Sequence, residues 1–261
     1  MGAQQVAGSI RANLRLEVGG RSGAGSWQDF LRYLIGTVRE SRILVMINGI
    51  VGNNTSRKLD PQEFRGFAIA DEYAPLIFVN NADTKAAQIF TIAHEIAHLW
   101  LGASGISLVR ARDLPERYAP DADIERWCNS VAAEILVPLT MLGEMPLEGD
   151  LDTLKRLVAK TFRVSTLVAL RRIKDIGRID YDTFSAAYEG ELEYLKSISP
   201  QTSSGGNFYN SMNARVDPQF ARAVIGSAFE GSTLMGEALN LLGVKSTEVL
   251  RKEARHIGMP A

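Results

Sequence analysis

Residues 91–100 contain the run His94-Glu95-Ile96-Ala97-His98, an H-E-x-x-H pattern that includes two of the chain's three histidines. On an α-helix, residues four positions apart lie on one face, so both imidazoles can point at a single metal ion. Glu95 would lie beside that face, within reach of a water molecule on the metal. The pattern therefore predicts a metal-binding helix with Glu95 as general base. The competing interpretation is a helix whose histidines only border the core.

The third metal ligand is expected from a second, acidic helix. A zinc site with two histidines is usually completed by a carboxylate, and residues 123–137 combine the apolar spacing of a buried helix with Glu125 and Glu134. An unpaired carboxylate buried there would be costly. The two glutamates are nine positions apart, about two and a half helical turns, so they face different sides. We expect Glu125 to bind the metal and Glu134 to form a buried ion pair or hydrogen bond.

Four other residues are candidates for supporting roles. Asn129, on the same predicted helix, could hydrogen-bond a ligand histidine or a substrate group. Cys128 has apolar neighbours and is expected to be a buried core thiol. Tyr118 lies in the loop at 103–122, which could form a wall of the site, and its hydroxyl could polarise a substrate carbonyl. His256 is expected at the surface near a helix end.

Composition is that of a soluble globular protein. Hydrophobic residues make up 46% of the chain, and 29 basic against 30 acidic residues give a net charge of -1. This balance does not favour direct binding to nucleic acid. The single cysteine excludes an intrachain disulfide and fits a reducing cytoplasm. No apolar run reaches the roughly 18 residues of a membrane helix, and no signal peptide is recognisable. We therefore expect a cytoplasmic protein, and its oligomeric state is left open.

The pattern of helices and strands predicts an α+β fold with an all-helical C-terminal extension. We expect a flexible segment at 1–25, in which a short helix around 8–17 is possible. A metal-binding core at 26–145, a helical extension at 146–197 and a C-terminal helical module at 198–261 should follow. A helix capped by Ser26 should precede a small, mostly antiparallel sheet of about three strands, at 43–47, 64–70 and 76–79. One of the last two strands could hold a substrate as an added edge strand, and the alternative is that both are buried.

The C-terminal half is predicted to be helical throughout. Helices are expected over 151–162, 166–176 and 182–195, and, after a linker-like stretch at 197–206, over 218–229, 234–242 and 247–257. The first pair, with Arg171, Arg172 and Lys174, superficially resembles a helix-turn-helix, but a helical hairpin packed on the core is expected. The terminal module could bind a substrate protein, contact another subunit or act as a sensor.

Several segments before and after the two histidines together form a recognisable ordered set. They are Arg65-Gly66-Phe67, residues 75–80, residues 90–99 and residues 125–138. Together they resemble the ImmA/IrrE family of bacterial metallopeptidases over roughly residues 26–140. The resemblance implies a zincin-like core in which His94, His98 and Glu125 bind the metal and Glu95 is the general base.

The resemblance also implies a function. Characterised members cleave transcriptional repressors of the helix-turn-helix type and so switch on stress or mobile-element genes. We therefore expect a zinc-dependent endopeptidase whose substrate is a DNA-binding repressor, with Mn²⁺ or Fe²⁺ as alternative metals. About 25 residues precede the first confident helix, too few for a DNA-binding domain, so a separate DNA-binding partner is expected unless such a domain has been removed. The alternative is a non-proteolytic regulatory or antitoxin protein that uses the fold to bind a toxin or repressor.

Overall fold

The computed structural model describes residues 2–51, 54, 56–102, 105–107, 122–197 and 215–259. Within these ranges the chain forms eleven α-helices, four strands and a 3₁₀ helix at Gly19–Ser22. The first helices and the strands are α1 (Ala3–Leu14), α2 (Trp27–Glu40), β1 (Leu44–Asn48), β2 (Gly66–Ile69), β3 (Leu76–Asn80), α3 (Lys85–Trp100) and β4 (Gly105–Ser107). The remaining helices are α4 (Ala122–Leu136), α5 (Leu139–Gly143), α6 (Leu151–Phe162), α7 (Thr166–Asp175), α8 (Tyr181–Ser197), α9 (Pro218–Phe229), α10 (Met235–Leu242) and α11 (Thr247–His256).

The sheet has the strand order β1-β3-β2-β4. β1 pairs with β3 in parallel, with Leu44 opposite Leu76, whereas β2 is antiparallel to both β3 and β4. The α+β prediction is therefore confirmed, but the sheet is mixed and has one more strand than expected. The additional strand has only three residues, too few for an alternating pattern in the sequence.

The two segments proposed as a substrate-binding edge, 64–70 and 76–79, lie inside the sheet. β3 is bonded on both sides by β1 and β2, and β2 is bonded on both sides by β3 and β4. The edge-strand prediction is therefore wrong for these segments. The alternative, that both are buried, is met only in part, since Ile69 of β2 is 45% exposed. Among the described residues, the sheet edges are β1 and β4.

The N-terminal segment contains a packed helix, which corrects the expectation of a flexible stretch at 1–25. Four residues of α1 are buried against the core, two of them adjacent and the others three and four positions further on, so they share one face of the helix. They are Val6, Ala7, Ile10 and Leu14. The glycines within 19–25 favour a flexible segment, but they begin only after the apolar positions that form this buried face.

The helix that carries both histidines begins at a side-chain cap. Thr84 Oγ1 accepts a hydrogen bond from the Ala87 N–H at 3.2 Å, which satisfies a donor in the first turn. α3 is buried along most of its length and ends before Gly102, whose positive φ of 67° suits a residue without Cβ.

Apolar side chains form two separate clusters. The larger includes residues from α1 to α7 and from the sheet, so α6 and α7 pack on the core as the helical-hairpin prediction required. The smaller is confined to the C-terminal helices α9, α10 and α11 and their flanking residues. In the described part of the chain, no helix is long and apolar enough to cross a membrane.

Candidate metal centre

His94 and His98 lie on one face of α3, and their side chains converge. Their Nε2 atoms are 3.0 Å apart, and the two rings meet edge to face with centroids separated by 4.8 Å. Both residues are buried. The spacing of about one helical turn in the H-E-x-x-H pattern therefore brings one nitrogen of each imidazole to the same place.

Glu125 at the start of α4 completes this group. Its Oε2 lies 3.2 Å from His94 Nε2, and its Oε1 lies 3.1 Å from His98 Nε2. In the described residues, His94, His98 and Glu125 form the one group whose potential ligand atoms could jointly hold a metal. The close packing of α3 against α4 brings together residues that are distant in sequence.

The separations among these atoms fit a tetrahedral metal ion. Ligands about 2.0–2.1 Å from zinc, at tetrahedral angles, would be about 3.3 Å apart. The two Nε2 atoms are 3.0 Å apart, and each is close to a different oxygen of the Glu125 carboxylate, at 3.2 Å for His94 and 3.1 Å for His98, so all three separations are near that value. Two imidazoles and one carboxylate are also a donor set that zinc favours. The residues present therefore fit the metal that the motif implies.

The same proximity shifts the protonation of the metal-free site. Burial disfavours a charge on His98, but hydrogen bonding with Cys128 and Glu125, and the charges of Cys128 and Glu95, raise its pKa to about 10. Burial also disfavours a charged Glu125, yet hydrogen bonds with His94 and His98 lower its pKa to about 2. A metal ion must therefore displace a tightly held proton from this group.

Glu95 lies on the side of α3 that faces β2. It is fully buried, and a Cβ atom built on Gly66 of β2 would be 3.5 Å from Glu95 Oε1. The same Cβ would be 2.6 Å from Thr91 Cγ2 and 2.7 Å from the Phe78 carbonyl oxygen. β2 therefore approaches α3 at a distance that only glycine permits, and this approach sets the space around the Glu95 carboxylate.

Glu134, the other candidate ligand, is bound elsewhere. Its carboxylate forms a buried ion pair with Arg172 of α7 and accepts a hydrogen bond from the Leu139 N–H at 3.3 Å. Arg172 also donates to the Val137 carbonyl oxygen at 2.8 Å and pairs with Asp175 at 3.0 Å. The structure thus places Glu125 at the histidines and Glu134 in the buried ion pair.

The remaining candidates are distributed differently. Cys128 is fully buried, as expected, and it is also one of the groups that raise the pKa of His98. Its position three residues after Glu125 on α4 is the signal that could have indicated this effect. Asn129 is half-buried on the same helix. His256 is exposed at the end of α11, and Tyr118 lies outside the described residues.

Two family models match parts of the chain. Residues 39–174 match the model of the IrrE N-terminal-like domain of peptidase family M78. This range is more than half of the 261-residue chain, and the chain therefore belongs to this metallopeptidase-like family. Residues 216–256 match a second model, described as a domain of unknown function (DUF8813). None of the curated proteins compared with the chain gives a significant match.

Proposed function

We propose that this protein is a zinc-dependent endopeptidase with a zincin-like core. The observation that carries the proposal is the convergence of His94, His98 and Glu125, with ligand atoms 3.0–3.2 Å apart, beside the buried Glu95. Three protein ligands are the number used by catalytic zinc sites, which keep a further position for water or substrate. Membership of a peptidase family supports the same reading.

The chemistry divides between the metal and the protein. A zinc ion held there would lower the pKa of water and polarise a peptide carbonyl. The Glu95 carboxylate then takes a proton from the attacking water and returns it to the leaving amine. His94, His98 and Glu125 serve as ligands, and Glu95 lies beside Gly66 of β2, where a side chain would crowd its carboxylate.

For the substrate we propose a DNA-binding repressor of the helix-turn-helix type. This finer assignment is supported by family membership and by the resemblance to members with such substrates. The cleaved segment would be a flexible loop of the repressor, because a folded helix cannot present an extended peptide to the site. Cleavage would relieve repression of stress or mobile-element genes.

The test compares new protein N-termini in host cells that express either the wild type or Glu95→Gln. This substitution retains the size of the side chain and the three ligands, but removes the base. A cleavage found only with the wild type would support the peptidase and identify its substrate. Identical N-terminal profiles, including under DNA damage, would instead favour a protein that binds a repressor or toxin without cutting it. Zinc content should be equal in the two proteins, which controls for loss of the site.

A further inference from the structure

The three C-terminal helices form a unit with its own apolar core. Residues 216–259, here called the C-terminal module, contain α9, α10 and α11, and their buried side chains form the smaller hydrophobic cluster. The larger cluster, among the described residues, includes none of them. The module also matches a separate family model. Apolar packing therefore stabilises the module mainly from within.

The module contacts the rest of the chain through Asp217, the N-cap of α9. Asp217 Oδ1 accepts a hydrogen bond from the Gln219 N–H at 2.8 Å, which caps the helix. Its Oδ2 accepts one from Arg39 Nε of α2 at 2.7 Å and one from the Val45 N–H of β1 at 3.0 Å. Asp217 is fully buried. One of its carboxylate oxygens caps α9, and the other binds Arg39 and Val45 of the core.

Arg39 completes the contact from the core side. Its Nη2 donates to the Val45 carbonyl oxygen at 2.9 Å, and its own carbonyl oxygen accepts a hydrogen bond from Gln219 Nε2 at 2.9 Å. Hydrogen bonds among four residues thus connect α2, β1 and the start of α9. We call the set Arg39, Val45, Asp217 and Gln219 the polar clamp.

The polar clamp covers the main chain of an edge strand. β1 pairs with β3 on one side, where the Leu44 N–H donates to the Pro75 carbonyl oxygen at 2.8 Å. Successive residues of a strand direct their main-chain groups to opposite sides, so the Val45 N–H and C=O face away from β3. These are the groups that an added strand would use, and Asp217 and Arg39 occupy both.

We propose that the C-terminal module is a separable cap on the β1 edge of the sheet, held there by the polar clamp. The core supplies Arg39 and the main-chain groups of Val45 that face away from β3, and the module supplies a carboxylate at a helix N-terminus. This surface fits an acidic N-cap because one oxygen can bind both the guanidinium and the strand N–H. The cap protects an apolar edge strand, Leu44–Asn48, from pairing with other chains.

Amide hydrogen exchange, followed by NMR on the full chain, tests this proposal. In Asp217→Ala, exchange of the Val45 amide should accelerate about 10-fold or more, because its charged acceptor is lost. The Leu44 amide on the same strand, bonded to β3, is the internal control and should change little. Amides in the centres of α10 and α11 should also keep their protection, since the module retains its own core.

Two further variants separate the cap from general stability. Asp217→Asn keeps an acceptor for the Val45 N–H and a helix cap but loses the ion pair, so its exchange should be intermediate. Glu248→Ala removes an exposed ion pair with Lys252 inside the module and should leave Val45 unchanged. Unaltered Val45 exchange in Asp217→Ala would overturn the proposal. So would joint loss of protection in β1, α10 and α11, which would show one cooperative unit instead of a separable cap.

Discussion

Arg172 of α7 forms a buried ion pair with Glu134 of α4, and this contact explains how one helix can carry a buried and a half-buried glutamate with different roles. Glu134 is compensated by a guanidinium, whereas Glu125 faces two imidazoles. Each carboxylate has the partner that burial requires. The roles of the two glutamates can therefore be tested independently.

Glu134→Gln should destabilise the protein without emptying the metal site. The substitution leaves the buried Arg172 guanidinium without its charged partner, and loss of one member of a buried pair costs about 3 kcal/mol. Denaturant unfolding measures this change in the free energy of unfolding. Glu248→Gln, at an exposed pair with Lys252, is the matched control and should have little effect. Equal stability of the two variants would contradict the role assigned to Glu134.

The stability of the metal-free protein should depend on pH through His98 and Glu125. The pKa of His98 is raised from 6.5 to about 10, so its contribution is complete below pH 6.5 and is lost as the pH rises towards 10. The pKa of Glu125 is lowered from 4.5 to about 2, so its contribution is complete above pH 4.5 and is lost as the pH falls towards 2.

Together these shifts predict that the pair stabilises the metal-free protein most between pH 4.5 and 6.5. Urea unfolding in the presence of a chelator, repeated across this range and up to pH 9, measures the effect. Glu125→Gln is the control and should show a weaker decline above pH 6.5. A wild-type protein whose stability increases between pH 6.5 and 9 would disagree with this assignment.

Gly66→Ala should damage both stability and activity. The added methyl group would lie 2.6 Å from Thr91 Cγ2 and 2.7 Å from the Phe78 carbonyl oxygen. β2 and α3 would have to move apart, which should lower the free energy of unfolding by about 1–3 kcal/mol. Because Glu95 lies next to this contact, peptidase activity should fall more than the fraction folded. Gly36→Ala in α2, where a Cβ meets no atom within 4 Å, should be neutral or stabilising. Similar behaviour of the two variants would show that the close approach is unimportant.

Cys128→Ala should lower the pKa of His98 in the metal-free protein. Cys128 is one of the groups that raise this pKa to about 10, so removing the thiol should make the His98 proton easier to displace. An NMR titration of the His98 ring in the presence of a chelator measures the pKa. A His98 pKa equal to wild type in Cys128→Ala would reduce Cys128 to a packing residue.

Local signals in the sequence were sufficient for much of the fold. The sequence predicts that Ser26 caps α2, and Ser26 Oγ accepts a hydrogen bond from the Asp29 N–H at 3.1 Å. The three terminal helices were predicted within a residue or two of their observed ends. In the same way, the one-turn spacing of His94 and His98 was enough to predict their shared face, because helix geometry is local.

Contacts between distant segments were harder to predict. Arg172 was considered only as part of a basic stretch, since nothing near it in the sequence indicates Glu134 as a partner. Asp217 has the local signature of a helix cap, but its bond to the Val45 N–H depends on how the module docks. β4 has only three residues, and it is a strand because it pairs with β2, a contact that its own sequence does not indicate.

The most direct test of the central claim is zinc stoichiometry, measured by inductively coupled plasma mass spectrometry on zinc-loaded, desalted protein. Wild type, Glu95→Gln and Glu134→Gln should each retain about one zinc per chain, because their three ligands are intact. Glu125→Gln should retain far less under the same desalting conditions. Full zinc retention in Glu125→Gln, or no bound zinc in the wild type, would contradict a metal centre formed by His94, His98 and Glu125.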